Sequence, residues 1–169
     1  RTELIQDQNV GFSGGGENSS YFMSGNYFGN KGTVVSTDFD RISFRVNSSG
    51  KKGVFSIGEN LAFSNYKTNQ IGAPEDLRGN PFIDVVRLLP TIPVYDEANP
   101  GGYGYGKSGV ANTFAANPVA IANLINQNVE NFRIRGNVWA EIDPFPFLQY
   151  RINFGYESSF DSYNYLRKE

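Results

Sequence analysis

Apolar and polar residues alternate with a period of two in several separate stretches of this 169-residue chain. Such alternation sends successive side chains to opposite faces of a β-strand. Within residues 39–47, Ile42, Phe44 and Val46 fall on one face, and Arg41, Ser43, Arg45 and Asn47 on the other. Residues 132–143 repeat the design, with Phe132, Ile134, Val138, Ala140 and Ile142 opposite Arg133, Arg135, Asn137, Trp139 and Glu141. Residues 147–156 place Leu148, Tyr150, Ile152, Phe154 and Tyr156 opposite Gln149, Arg151, Asn153 and Gly155. Three further strands are predicted at 6–13, 20–28 and 54–66. In the last of these Glu59 interrupts the apolar face. Segment 20–28 is apolar on both sides, with Tyr21, Met23 and Tyr27 against Phe22 and Phe28, so its orientation is open.

The connections alternate short and long. Tight polar turns are predicted at 14–19, 48–53 and 143–146, where Pro144 and Pro146 cannot continue a ladder. Between them lie a medium loop at 29–38 and an insertion of about sixty residues, 67–131. The insertion has local structure of its own. Asn80-Pro81 and Asn117-Pro118 each read as an N-cap followed by proline at the first helical position, where a missing N–H matters least. Phe82, Val85, Val86 and Leu89 then share one helical face, expected to pack. Pro100 to Gly106 reads as a glycine-rich loop tipped by Tyr103 and Tyr105. An insertion this long and this structured points to function rather than to a linker.

Composition narrows the classes. The net charge of −2 leaves no basic field for nucleic acid. Cysteine and histidine are both absent, which removes disulfides, thiolate metal sites and the usual general base. Asp96, Glu97, Glu141 and Asp143 are available as carboxylates but do not cluster, so no enzyme is expected. No stretch approaches the roughly 20 apolar residues of a membrane helix. Strands of about 9–11 residues, however, suit a tilted membrane β-strand. Aromatics at strand ends (Tyr21, Tyr27, Phe28, Tyr66, Tyr150, Tyr156) suit its interfacial girdles. On pattern alone a membrane barrel and a soluble antiparallel sandwich both remain open. The chain starts without methionine and ends in a tyrosine-rich polar run, and is expected to be an internal piece of something longer.

An ordered set of landmarks resembles the SusC/RagA family of TonB-dependent outer-membrane transporters. It opens with Ser13-Gly14-Gly15, Tyr21-Phe22, Ser24, Tyr27-Phe28, Gly32, Phe39, Arg41, Ser43, Arg45 and Asn47. It continues through Gly58-Glu59-Asn60-Leu61, Pro90-Thr91-Ile92-Pro93-Val94-Tyr95-Asp96 and Asn117-Pro118. Gly136-Asn137 with Glu141, and Asn153-Phe154-Gly155, complete the series.

The resemblance implies an all-β fold: about six strands of a transmembrane antiparallel barrel that in the family has about 22, with a long extracellular loop carrying short helices. Residues 1–66 would supply four strands, 67–131 the extracellular loop, 132–157 two strands and 158–169 the start of the next loop. Short turns would be periplasmic. The implied activity is TonB-powered import of glycans or peptides across the bacterial outer membrane, beneath a SusD-like surface lipoprotein of the Bacteroidetes type. Plug domain and TonB contact would come from parts absent here, and no cofactor is implied. Arg41, Arg45, Arg133, Arg135 and Arg151 would face the lumen. Tyr95, Asp96, Tyr103 and Tyr105 are candidates for ligand or partner contact, with Tyr95 and Asp96 also candidates for holding the loop. A soluble sandwich that binds carbohydrate is the alternative function.

Overall fold

The computed structural model describes residues 4–71, 80–106 and 115–168. Among them, six strands form one antiparallel sheet in chain order: β1 (Ile5–Gly16), β2 (Ser19–Lys31), β3 (Asp38–Lys52), β4 (Phe55–Gln70), β5 (Ile125–Phe145) and β6 (Leu148–Arg167). Two helices, α1 (Pro81–Arg87) and α2 (Pro118–Leu124), lie between β4 and β5. The sheet is open: β1 and β6 are its two edges.

The register sorts every strand residue onto one of two faces. One row of directly opposed residues reads Val10, Gly25, Phe44, Phe63, Ile134 and Ser158; the next on that face reads Phe12, Met23, Val46, Leu61, Gly136 and Tyr156. The other face carries Asn9, Asn26, Ser43, Ser64, Arg133 and Ser159, then Gly11, Ser24, Arg45, Ala62, Arg135 and Glu157. This settles β2. Tyr21, Met23 and Tyr27 share the apolar face with Ile42 and Val46, while Phe22 and Phe28 lie on the polar one. Glu59 does sit on the apolar face, where it accepts a hydrogen bond from Ser48 Oγ at 2.9 Å.

On β5 the apolar band runs from Phe132 to Ile142. Ten residue steps at about 3.4 Å, tilted by about 40°, give a height of roughly 26 Å, close to the apolar band of an outer-membrane barrel. A charged row borders it on the side of the long connections. Lys67 Nζ lies 3.0 Å from Glu130 Oε1, and Tyr27 Oη donates to Asp40 Oδ1 at 2.9 Å. Apolar side chains bounded by a polar rim are the profile of a strand surface meeting hydrocarbon and then headgroups.

Several boundaries move. The ladder closes to two-residue turns at 17–18, 53–54 and 146–147, so the polar segment 48–53 is mostly strand. Gly53 supplies the positive φ of 63° that its turn needs. Pro144 is inside β5 rather than in the turn. The register shifts between Ile142 and Phe145, leaving Pro144 without a ladder partner, so its missing N–H is not felt. Residues 158–168, expected to begin a loop, instead continue β6 to Arg167. Likewise β4 and β5 extend into the expected 67–131 loop, which shortens to 71–124; of these, 72–79 and 107–114 lie outside the described residues.

None of the described residues covers either sheet face. The buried apolar residues among those described are Ile71, Ile92, Ala115 and Ile121, all in the β4–β5 connection. The sheet thus exposes Phe12, Ile42, Phe44, Ile152 and Phe154 with none of the described residues packed on them, and none of those residues pairs with its edges. These 169 residues expressed alone are therefore expected to be insoluble in buffer and recoverable only with detergent. A monodisperse, cooperatively melting monomer without detergent would contradict a membrane wall.

Candidate functional site

The polar face brings four of the five predicted arginines together. Arg41 and Arg45 of β3 and Arg133 and Arg135 of β5 line one hollow of about 490 Å³, with Asn26 and Ser64 among its other walls. Their compensation is uneven. Arg135 grips Glu157 with two hydrogen bonds, Nε to Oε2 at 3.3 Å and Nη2 to Oε1 at 3.0 Å. Arg133 reaches the same carboxylate only at 3.9 Å. Arg41 lies 5.5 Å above the Phe28 ring and donates to Asn26 Oδ1 at 3.4 Å. Arg45 has no hydrogen-bond or ion-pair partner among the described residues. Of the four guanidiniums two thus pair directly with a carboxylate, while Asp7, bonded to Asn26, and Asp161, bonded to Asn131, share the face in the row of Arg41.

Arg151 stands apart on the same face. It stacks 4.2 Å over the Trp139 ring and lies 3.7 Å from Glu141. Gly58, on the same face, allows the indole to lie flat, since a Cβ there would fall 2.5 Å from the ring.

Toward the long connections, Phe28, Phe39 and Tyr66 form an aromatic strip on the polar face, with ring centroids 5.9 and 5.8 Å apart. Phe28 and Tyr66 were expected in the girdle at the lipid interface. The register places them on the opposite face, and only Tyr21, Tyr27, Tyr150 and Tyr156 of that set belong to the apolar one. Strand-end position is visible in a sequence, but facing is shared only with whatever strand lies opposite.

In the connection, Tyr95 and Tyr103 pair as an isolated bridge with their rings 5.6 Å apart. Tyr95 and Tyr105 are exposed, whereas Asp96 serves its own turn. Its carboxylate accepts from the Ala98 amide at 3.1 Å and from Asn99 Nδ2 at 3.0 Å, and Asn99 Nδ2 also donates to the Tyr103 carbonyl. The centre of this subdomain is Asn117, buried and fully bonded. Its Oδ1 accepts from Val119 and Ala120, capping α2, and its Nδ2 donates to the carbonyls of Val94 (2.8 Å) and Gly104 (3.1 Å). Gly104 must be glycine there, because a Cβ would lie 1.8 Å from the Pro93 carbonyl oxygen.

Helix α1 is capped by Asn80 as predicted, its Oδ1 accepting from Phe82 N at 3.1 Å. The expected packing face is left uncovered by the described residues of this chain. Phe82, Val85, Val86 and Leu89 are exposed, while Asp84 is 0% exposed. Periodicity finds the face of a helix but not which way it turns.

Three contributors carry no sequence signal for these roles. Glu157 matters only because the register sets it beside Arg135, more than twenty residues away along a hairpin. Asn131 is buried between strands, donating to Ser159 Oγ at 2.6 Å and to Asp161 Oδ1. Asn117 advertises its cap through the following proline, but not its cross-loop bonds.

A sheet with one face suited to hydrocarbon and one lined by charge has the makings of a β-barrel wall. No known family profile matches the chain. Over 164 residues, however, it is 26% identical to TonB-dependent receptor P3 of Formosa agariphila, an alignment covering 93% of this chain and 16% of that receptor. The likeness relates the chain, at a distance, to the TonB-dependent receptors. The chain thus spans about 16% of the length of the curated relative it matches.

Proposed function

We propose that this chain is a barrel segment of a TonB-dependent outer-membrane importer of the SusC/RagA type, carrying glycans or peptides beneath a SusD-like lipoprotein. The observation that carries the reading is the two-faced six-stranded sheet aligned along nearly its whole length with a TonB-dependent receptor. The ordered landmarks from Ser13-Gly14-Gly15 to Asn153-Phe154-Gly155 support the finer family assignment.

In this reading Ile42, Phe44, Ile134 and Phe154 meet lipid. Arg41, Arg45, Arg133, Arg135 and Arg151 face the lumen, where the plug and passing solute are met. The two-residue turns lie in the periplasm and the 71–124 connection lies outside the cell. There Tyr95, Tyr103 and Tyr105, with the outward face of α1, are placed to meet substrate or the lid protein; Asp96 holds their turn. Import by this route makes and breaks no covalent bond in the solute. The alternative, a soluble carbohydrate-binding sandwich, needs a second layer over the apolar face, and none of the described residues supplies one.

The test is made on the full-length protein. Expected are recovery in the outer-membrane fraction, a heat-dependent shift in gel mobility, co-purification with a surface lipoprotein, and uptake that stops when TonB is deleted. Recovery in the soluble fraction would sink the proposal; uptake without TonB would sink the energised-import part of it.

A further inference from the structure

We infer that the hollow around Arg41 and Arg45, together with the aromatic strip beside it, is a binding site for an acidic carbohydrate, one carrying carboxylate or sulfate groups on its rings. This rests on the importer reading and narrows its substrate class. Three features converge. First, charge is unbalanced: Glu157 pairs with Arg135 and, at 3.9 Å, with Arg133, Arg45 has no partner among the described residues, and Arg41 contacts Asn26 and the Phe28 ring, Asn26 in turn donating to Asp7 at 2.7 Å. Guanidinium forks match planar oxyanions and bind them with charge-assisted hydrogen bonds.

Second, the remaining polar lining suits a polyol. Asn9, Ser24, Ser43 and Ser64 offer hydroxyl and amide groups that both donate and accept. Phe39, edged against Phe28, and Tyr66, packed on Phe39, are half-buried and present ring surface beside the hollow. Aromatic faces favour the apolar C–H faces of sugars as they do other amphipathic surfaces. A neutral sugar would satisfy the rings and hydroxyls but leave the arginines uncompensated.

Third, the site lies where a solute arrives. Arg41 and Arg45 stand level with Ile42 and Phe44, at the end of the apolar band nearest the long connections. Phe39 lies one step outward of Arg41, and Arg41 itself stands between Phe28 and Tyr66, so a polymer entering from the loop end meets Phe39 first, the ring-flanked Arg41 next and Arg45 after it.

The test uses the full-length receptor purified in detergent, with trigalacturonate and its fully methyl-esterified form as probes. The two share ring and hydroxyls and differ in charge. The free acid is expected to bind more tightly than the ester, and its binding should weaken as salt is raised. Arg41→Gln with Arg45→Gln should weaken the acid about ten-fold and the ester little. Lys67→Gln, the charge change of Arg45→Gln alone placed on the other face, should leave both unchanged. Heat-shifted gel mobility checks folding, and Arg45→Lys, which retains charge without the fork, should fall between wild type and Arg45→Gln. Equal binding of acid and ester, or an unaltered acid affinity in the double variant, overturns the inference. Were the double variant instead to raise ion conductance in planar bilayers with uronate binding intact, the arginines would be serving a protein carboxylate in the lumen, and the inference would fail. Correct outer-membrane location with any of these results would leave the importer reading standing.

Discussion

Replacing Phe44 with arginine in the full-length protein is expected to destabilise the folded state in lipid vesicles by about 1–3 kcal/mol, because Phe44 lies between the midplane, where a lipid-facing cation costs about 2–4 kcal/mol, and the outer end of the apolar band, where it costs about 0–1. Asn47→Arg, three residues on in the same strand, should change stability by less than about 1 kcal/mol. The contrast follows from parity. Phe44 is opposed by Gly25 and Phe63 on the apolar face, with no carboxylate beside it to receive a guanidinium. Asn47 lies on the face of Arg45, between Phe22 and Asn60, where water or polar partners can solvate a charge. Urea unfolding from vesicles, followed by tryptophan fluorescence, measures the difference. Equal tolerance of the two substitutions would mean that the Phe44 face does not meet hydrocarbon.

Asn117→Ala should unfold the loop subdomain while sparing the sheet. Four hydrogen bonds converge on this one amide, two as the α2 cap and two tying Val94 and Gly104 to it. Loss of the cap is worth about 1 kcal/mol and the Gly104 carbonyl left buried without this donor about 1–3 kcal/mol, while the Val94 carbonyl keeps the Gly104 amide at 3.2 Å and loses one bond of about 0.5–1.5 kcal/mol. A local destabilisation of roughly 3–5 kcal/mol is therefore expected. Amide hydrogen exchange should accelerate in 80–106 and 115–124 with little change in β1–β6, whose ladder is independent of the loop. Asn117→Asp keeps the cap acceptor but loses both donors, and should fall between. Unchanged loop protection in Asn117→Ala would show that the buried apolar residues Ile92 and Ile121 hold the loop without it.

Much of the wall was legible before any coordinates. In β3, β5 and β6 large apolar residues alternate with charged or amide ones, and period-two geometry turns that directly into faces. The caps at Asn80 and Asn117 were legible because asparagine before proline answers a local need, the orphan amides of a helix start. Strand ends were not. Residues 125–131 and 158–167 carry polar residues on both faces, with Ile125, Val129, Phe160 and Leu166 too few to mark one, and a ladder between two paired strands needs backbone partners rather than apolar side chains. The reversed orientation of α1, with Asp84 inward and Val86 outward, was equally invisible, since amphipathicity is symmetric to inversion until something packs.

The candidate site divides the same way. That Arg41, Arg45, Arg133 and Arg135 share the polar side of their own strands is a property of the sequence, because side-chain direction along one strand is set by the local backbone. That they line a single hollow, that Phe28 and Tyr66 join them while Tyr21 and Tyr27 do not, and that Glu157 neutralises only one corner depend on register. Register is fixed by hydrogen bonds between strands as distant in the chain as Phe55 and Ile142, a non-local choice that no single segment encodes.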